Sequence, residues 1–242
     1  MSAAFIYLAS QSPRRAQLLE QLGVRHRLLL ADPAEDTEAL EAALPGELPI
    51  DYVQRVTQLK LQSAIVRFQK RAMEDLSRLK LTDTQGDEDQ NSARHVHAPI
   101  LCADTTVALG NKILGKPLDD LDAVHTLQSL SGKTHQVMTA ICVGIPNEVN
   151  TIEKLEPLSV DGEGAKFFSA LSISSVEFDT LSADQIKAYV QSGEPQGKAG
   201  AYAVQGRAGG FIKKIEGSYS GIMGLPLYEC GQILQRLGFQ IL

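Results

Sequence analysis

Phe5-Ile6-Tyr7-Leu8-Ala9-Ser10-Gln11-Ser12-Pro13-Arg14-Arg15 is the stretch on which the fold turns. Its apolar start, Phe5 to Ala9, reads as a strand and stops at hydroxyl and amide side chains. Ser12 then stands at a helix N-cap with Pro13 at the first helical position, where a missing N–H removes no hydrogen bond. Leu18, Leu19 and Leu22 follow on one helical face before Gly23 ends the run. Strand, turn and helix therefore succeed one another directly.

Outward from this unit, residues 25–30 read as a second strand, and an acidic loop leads into a helix whose Tyr52, Val56, Leu59 and Val66 recur at helical spacing. Lys60 lies at the margin of that stripe. Residues 82–97 carry almost nothing to bury and read as a mobile loop without a catalytic role. Residues 100–103 form a short strand ending in Asp104, with a hairpin at Gly110-Asn111 and a helix over 119–130 beyond it. Residues 136–144 and 171–179 read as strands separated by a polar loop over 146–168. Ser182 can cap a helix running to Gln191, and a glycine-rich stretch over 193–224 precedes a last helix over 226–237. Strands interleaved with helices predict an α/β fold, a mixed sheet with helices on both faces. No internal repeat is present.

Bulk composition sets the class. A chain of 242 residues with 43% hydrophobic residues can bury a sizeable core, as one domain or as two lobes around a cleft. The apolar run near the start is too short to span a bilayer and its arginines follow it, so neither a membrane segment nor a signal peptide is expected. Cys102, Cys142 and Cys230 are odd in number and widely spaced, which fits buried thiols in a reducing cytosol and places the chain in the cytoplasm. A net charge of −6 with 5% aromatic residues argues against a nucleic-acid binder. A small phosphorylated ligand needs only a few cations gathered locally.

Candidate chemistry lies in short segments, each with a bland alternative. Ser10 to Arg15 gathers hydroxyls, helix N-terminal N–H groups and two guanidiniums, a set suited to phosphate; an ordinary Ser-Pro cap with two solvated arginines fits as well. Asp104, in Ala103-Asp104-Thr105-Thr106, can act as general base or metal ligand, or close an Asx turn. Glu35 and Asp36 belong to an acidic loop of the kind that is commonly just solvated. Lys116 is framed by Gly115 and Pro117, which can hold its ammonium over a phosphate; a lone surface lysine is the commoner case. Lys198-Ala199-Gly200-Ala201-Tyr202 is too small and glycine-rich for ordinary packing, which suggests close backbone approach to a ligand. The Gln205 amide can match the N3–H and O4 edge of uracil or thymine, or lie on the surface.

Two motifs are rejected. Ser131-Gly132-Lys133-Thr134 resembles the end of a Walker A loop, but Leu127 stands where its first glycine belongs and the segment follows a helix. Gly162-Glu163-Gly164 has Phe167 where a dinucleotide fingerprint needs a third glycine. His135 has no partner at metal-ligand spacing and reads as structural.

Taken together, SPRR at 12–15, ADTT at 103–106, GKP at 115–117, LSGKTH at 130–135, KAGAYAVQG at 198–206 and GLPL at 224–227 resemble the Maf family in order and spacing. The resemblance implies a single nucleotide pyrophosphatase domain over 1–242, with a fold like the inosine triphosphate pyrophosphatases: an elongated sheet, two lobes and a central cleft. It implies a divalent cation, Mg²⁺ or Mn²⁺, and a homodimer. By the same resemblance Asp104 is the proton acceptor. Ser10, Arg14, Arg15, Lys60, Thr105, Lys116 and Gln205 bind substrate, and Glu35 joins Asp104 at the metal. Arg14, Thr105 and Gln205 match the arm acting on dTTP and UTP; the 7-methyl-GTP arm tends to carry Trp, Gln and Glu there. The sequence departs from the family pattern at Leu61, where alanine is usual, and in longer loops near 80–97 and 146–168. The family's association with septum formation leaves a second reading, a nucleotide-binding regulator of cell division. An acid beside a phosphate pocket favours the enzyme.

Overall fold

A computed structural model describes residues 5–33, 35–81, 98–146 and 167–241. The loop expected over 82–97, and that over 146–168 apart from its end residues, lie outside the described residues. Strand β1 (Ile6–Leu8) leads through the Ser10–Ser12 turn into helix α1 (Pro13–Gln21), and β2 (His26–Leu28) follows. A single 3₁₀ turn at Ala39–Glu41 interrupts the acidic segment before the long helix α2 (Pro49–Leu81). Next come β3 (Ile100–Leu109), β4 (Lys112–Leu114), α3 (Asp120–Leu130), β5 (Thr134–Gly144) and β6 (Phe167–Phe178). The last part holds α4 (Ala183–Gln191), 3₁₀ turns at Ala199–Ala201 and Arg207–Phe211, β7 (Ile212–Glu216), α5 (Tyr219–Met223) and α6 (Leu227–Arg236). Among the described residues no helix is long and apolar enough to cross a membrane.

The strands form one open mixed sheet in the order β2-β1-β3-β5-β6-β7, with β4 beside β3. Pairing is parallel from β2 through β1 to β3 and antiparallel elsewhere. This sheet splits at its centre. β5 occupies one edge of β3 from Ile100 to Ala108. On the other edge β1 pairs only at Ile100 and Leu101, and β4 only from Val107 onward. Among the described residues, 102–106 thus have no strand neighbour on that side. β3 runs on to Leu109, so Asp104 lies in mid-strand and not at a strand end or in an Asx turn, as its sequence context allowed. What exposes it to a cleft is the gap between β1 and β4.

Alternation along β3 then divides the labour between two faces. Ile100, Cys102 and Ala108 pack in apolar clusters with α2, whereas Leu101 and Ala103 pack with residues of α1 and α6. Asp104 accordingly projects toward α2 and Thr105 toward α1. The α2 stripe differs from expectation: Val56 is fully buried, but Val66 is 63% exposed. At about 100° per residue, Val66 falls opposite the side shared by Val53, Thr57, Leu61, Ala64 and Phe68. Leu61 is buried with Cys102 and Cys142, and its Cδ2 would lie 3.2 Å from a Cβ placed on Gly144. The extra bulk at 61 is thus taken up against a glycine of β5.

The ends of the helices follow local chemistry. Ser182 forms a capping box with Gln185 at the start of α4. Asp119 caps α3 through the Asp122 N–H. Ser12 occupies the N-cap of α1 but makes no side-chain cap bond, so the first-turn amides of α1 are not consumed by their own cap.

Candidate active site

A cavity of about 470 Å³ occupies the split in the sheet, a volume typical of small-molecule sites. The carboxyl end of β1, the start of α1, the middle of β3, α2 and the segment 197–205 all contribute to its walls. Ser10, Arg14, Arg15, Lys60, Asp104, Thr105, Lys116 and Gln205 line it together.

On the α1 side, Arg15 is fixed at three points. Its Nε donates to the Gly224 carbonyl at 2.8 Å, Nη1 to Ser10 Oγ at 3.1 Å and Nη2 to Thr105 Oγ1 at 3.3 Å. Burial pulls the Arg15 guanidinium down from its ordinary value, opposed by the nearby Asp104 charge. Thr105 Oγ1 lies 2.9 Å from Thr139 Oγ1, which donates to the Gly221 carbonyl at 2.7 Å. A chain of hydroxyls therefore links the arginine to α5. Arg14 donates through Nε to the Met223 carbonyl at 3.3 Å, which orients its planar fork along the cavity wall. The arginines of the SPRR segment are positioned groups, not solvated ones.

On the α2 side, Lys60 Nζ donates to Asp104 Oδ1 at 2.6 Å and to Glu41 Oε1 at 2.7 Å. Lys116 Nζ reaches the other Glu41 oxygen at 2.7 Å. The Glu41 carboxylate bridges two lysines, and the Tyr52 hydroxyl donates to its backbone carbonyl at 2.8 Å. Burial raises Glu41, but Lys60 and Lys116 outweigh it and hold the carboxyl below its usual range. Burial, reinforced by the negative charge of Asp104, pushes Tyr52 up to about 12, so it remains a donor. Glu41 was not among the residues singled out from sequence. It is one acid in a segment that also holds Asp32, Glu35, Asp36, Glu38 and Glu47, and no local pattern sets it apart.

Glu35, expected as a metal ligand, is paired with Arg67 and Ser63 beside the cavity. Its carboxylate takes the Arg67 fork at 2.7 and 2.6 Å and a bond from Ser63 Oγ at 3.1 Å. The Arg67 hydrogen bond, above all, holds Glu35 down to about 2. Such a saturated carboxylate has little left to offer a cation. Asp104 and Glu41 are the acids gathered around Lys60.

In the 198–206 segment, close backbone approach was expected to be to a ligand. Gly200 adopts φ +68°, and a Cβ there would fall within 2.8 to 2.9 Å of the Val107 side chain, so its close approach is to β3. Lys198 Nζ donates to the carbonyls of Glu194 and Gln196 at 2.5 and 3.3 Å. Gln205 is exposed at the cavity rim. His135 is structural: it is buried, its Nε2 lies 2.8 Å from the Tyr202 hydroxyl, and it stacks edge-on with Phe178. Gly132, with φ +68°, turns the chain from α3 into β5, opposite to the strand-to-helix sense of a Walker loop.

Six cationic residues, Arg14, Arg15, Lys60, Arg67, Lys116 and Lys198, and three acidic ones, Glu38, Glu41 and Asp104, line the cleft, with helix α1 directing its N-terminus into it. Fold and site define an α/β protein with a cleft rich in cationic side chains and one deeply placed carboxylate. The chain belongs to the Maf family: the profile described as Maf-like protein matches residues 5–237. It is 50% identical over 237 residues to a dTTP/UTP pyrophosphatase of Albidiferax ferrireducens, covering 98% of each chain. A dTTP/UTP pyrophosphatase of Polaromonas sp. is 49% identical over 240 residues, covering 99% of each. One of Cupriavidus pinatubonensis is 50% identical over 232 residues, covering 96% of each.

Proposed function

We propose that this chain hydrolyses dTTP and UTP to the nucleoside monophosphate and pyrophosphate. The observation that carries the reading is Asp104, buried in the gap of the sheet and held by Lys60 within a cleft lined by Arg14, Arg15 and Lys116. The names of the full-length relatives support the same activity. In this reading the arginines and lysines bind the triphosphate, and Asp104 takes a proton from a water molecule. The water oxygen bonds to the α-phosphorus as the bond from that phosphorus to the bridging oxygen breaks, and pyrophosphate leaves with the electron pair. Lys60 orients Asp104, and the guanidiniums match the charge that grows on the departing group. Gln205 meets the base edge at the rim, where its amide complements N3–H and O4.

The acids also suit a divalent cation such as Mg²⁺ or Mn²⁺. Among the described residues no three or more His, Cys, Asp or Glu side chains form a protein-only metal cluster. Mg²⁺ commonly takes one or two carboxylates and completes its shell with water and substrate phosphates. Asp104 and Glu41 would hold it, and when bound it supplies charge neutralisation at the phosphates and a more acidic water. Glu41, on releasing the lysines to the triphosphate, would become free for that role.

The test is pyrophosphate release from UTP, dTTP and 7-methyl-GTP with Mg²⁺ or Mn²⁺. Asp104→Asn should lower kcat on UTP by at least about a hundredfold, as loss of a general base does. Glu41→Gln should lower kcat/KM by roughly ten- to a hundredfold, partly recovered at high metal. Cleavage undiminished in Asp104→Asn would remove Asp104 from the chemistry. Nucleotide binding without cleavage in the native chain would replace the enzyme by a nucleotide-binding regulator.

A further inference from the structure

Glu194 lies outside the cavity lining, yet its carboxylate is the hub of the rim that carries Gln205. α4 ends at Gln191, and Gly193 turns the chain so that Glu194 faces back beneath the 205–208 segment. Its Oε2 accepts from the Arg207 N–H at 3.0 Å. Its Oε1 accepts from the Ala208 N–H at 3.3 Å and from the Tyr189 hydroxyl at 2.9 Å. These are the first amides of the Arg207–Phe211 turn, which has no side-chain cap of its own, so the carboxylate caps it from another part of the chain. A Cβ on Gly206 would lie 2.3 Å from Glu194 Oε1, so the segment rests directly on the carboxylate. Burial raises Glu194, but the Arg207 amide, the Tyr189 hydroxyl and the Ala208 amide outweigh it and keep the group below the usual carboxylate range. The same residue's backbone carbonyl accepts from Lys198 at 2.5 Å.

An amide can present either a donor or an acceptor to a base edge, so what a glutamine discriminates depends on how firmly the backbone beneath it is held. Gln205 itself is exposed, and its neighbours Gly206 and Arg207 sit on Glu194. We infer that Glu194 is a positioning residue for base selection: its carboxylate fixes the 205–208 turn so that Gln205 meets uracil or thymine in one orientation. The inference rests on the pyrimidine triphosphatase reading above.

Steady-state kcat and KM for UTP and CTP separate the two. Glu194→Ala should lower the UTP-to-CTP ratio of kcat/KM by about tenfold, the coupling expected within one hydrogen-bond network, mainly through a raised KM for UTP. Glu194→Gln keeps an acceptor oxygen and should restore part of that ratio. Glu194→Ala added to Gln205→Ala should lower the ratio no further than Gln205→Ala alone. If Gln205→Ala lowers the ratio while Glu194→Ala and Glu194→Gln leave it unchanged, or lower both substrates equally, positioning by Glu194 is overturned and the base-reading role of Gln205 stands. If Gln205→Ala leaves the ratio unchanged in an active enzyme, base reading by Gln205 fails and this inference fails with it. If Glu194→Ala does not fold, the Glu194→Gln ratio decides.

Discussion

At the scale of single residues, burial sets which polar groups act and which only hold. His135 is 2% exposed, and burial pulls its imidazole down to about 4 from the ordinary 6.5. The folded state thus binds fewer protons than the unfolded chain between those values, and stability falls as pH drops from 6.5 toward 4. His135→Phe should flatten that part of the pH dependence of urea unfolding. At neutral pH it should cost about 1 to 3 kcal/mol, because the Tyr202 hydroxyl loses its buried partner. An unchanged acid limb would show that another group unfolds the protein. The lack of a partner spacing was enough to read His135 as structural from sequence, whereas SPRR fitted a bare helix cap as well as an anion site, and ADTT was picked out by a strand end that β3 runs past. Glu41 and Glu194 were not picked out. Each is defined by partners distant in sequence, Lys60 and Lys116 for the first and the 207–208 amides for the second.

At the scale of elements, helix α2 carries two stripes. Its apolar stripe covers β3 and β5, while Tyr52, Lys60, Ser63, Arg67 and Arg71 form a polar one beside it that clasps the 29–41 segment. Periodicity revealed the helix but not this division, since Val66 entered the apolar pattern by spacing alone and no local signal marks Arg67. Arg67 is in fact 6% exposed and also donates to the Leu29 carbonyl at 2.9 Å. Glu35→Gln leaves that buried guanidinium without its counter-charge and should destabilise the fold by roughly 3 kcal/mol. Because Glu35 is held at about 2, well below its unfolded value of 4.5, the native pair's contribution is present above pH 4.5 and fades as pH falls toward 2. Urea midpoints at pH 7 and pH 3 check this: the gap between native chain and variant should narrow at the lower pH. A variant of native stability that loses activity would instead return Glu35 to the metal.

At the scale of the whole molecule, a chain of net charge −6 encloses a cleft of opposite sign. The sign of the cleft was foreseen from scattered motifs, but its location was not, because the split between β1 and β4 depends on pairing partners that no local pattern encodes. The split explains why residues so distant in sequence as Arg15, Lys60 and Lys116 face one volume: α1, α2 and β4 each end or pass at the gap. The six cationic residues of the cleft repel one another, and Glu41 offsets part of that repulsion by bridging Lys60 and Lys116. A triphosphate must outcompete this internal anion, so binding is an exchange of one anionic partner for another. Screening weakens the attraction of cleft for substrate more than the contact pair already formed, since exposed and long-range charges are screened first and the Debye length falls from about 10 Å at 0.1 M salt to about 3 Å at 1 M. KM for UTP should therefore rise several-fold between low and high salt while kcat changes little. In Glu41→Gln the salt dependence of KM should persist, because the cations of the cleft remain. Initial rates across a salt series at saturating Mg²⁺ measure both; a KM independent of salt in the native chain would mean that shape and hydrogen bonding, not the field of the cleft, gather the substrate.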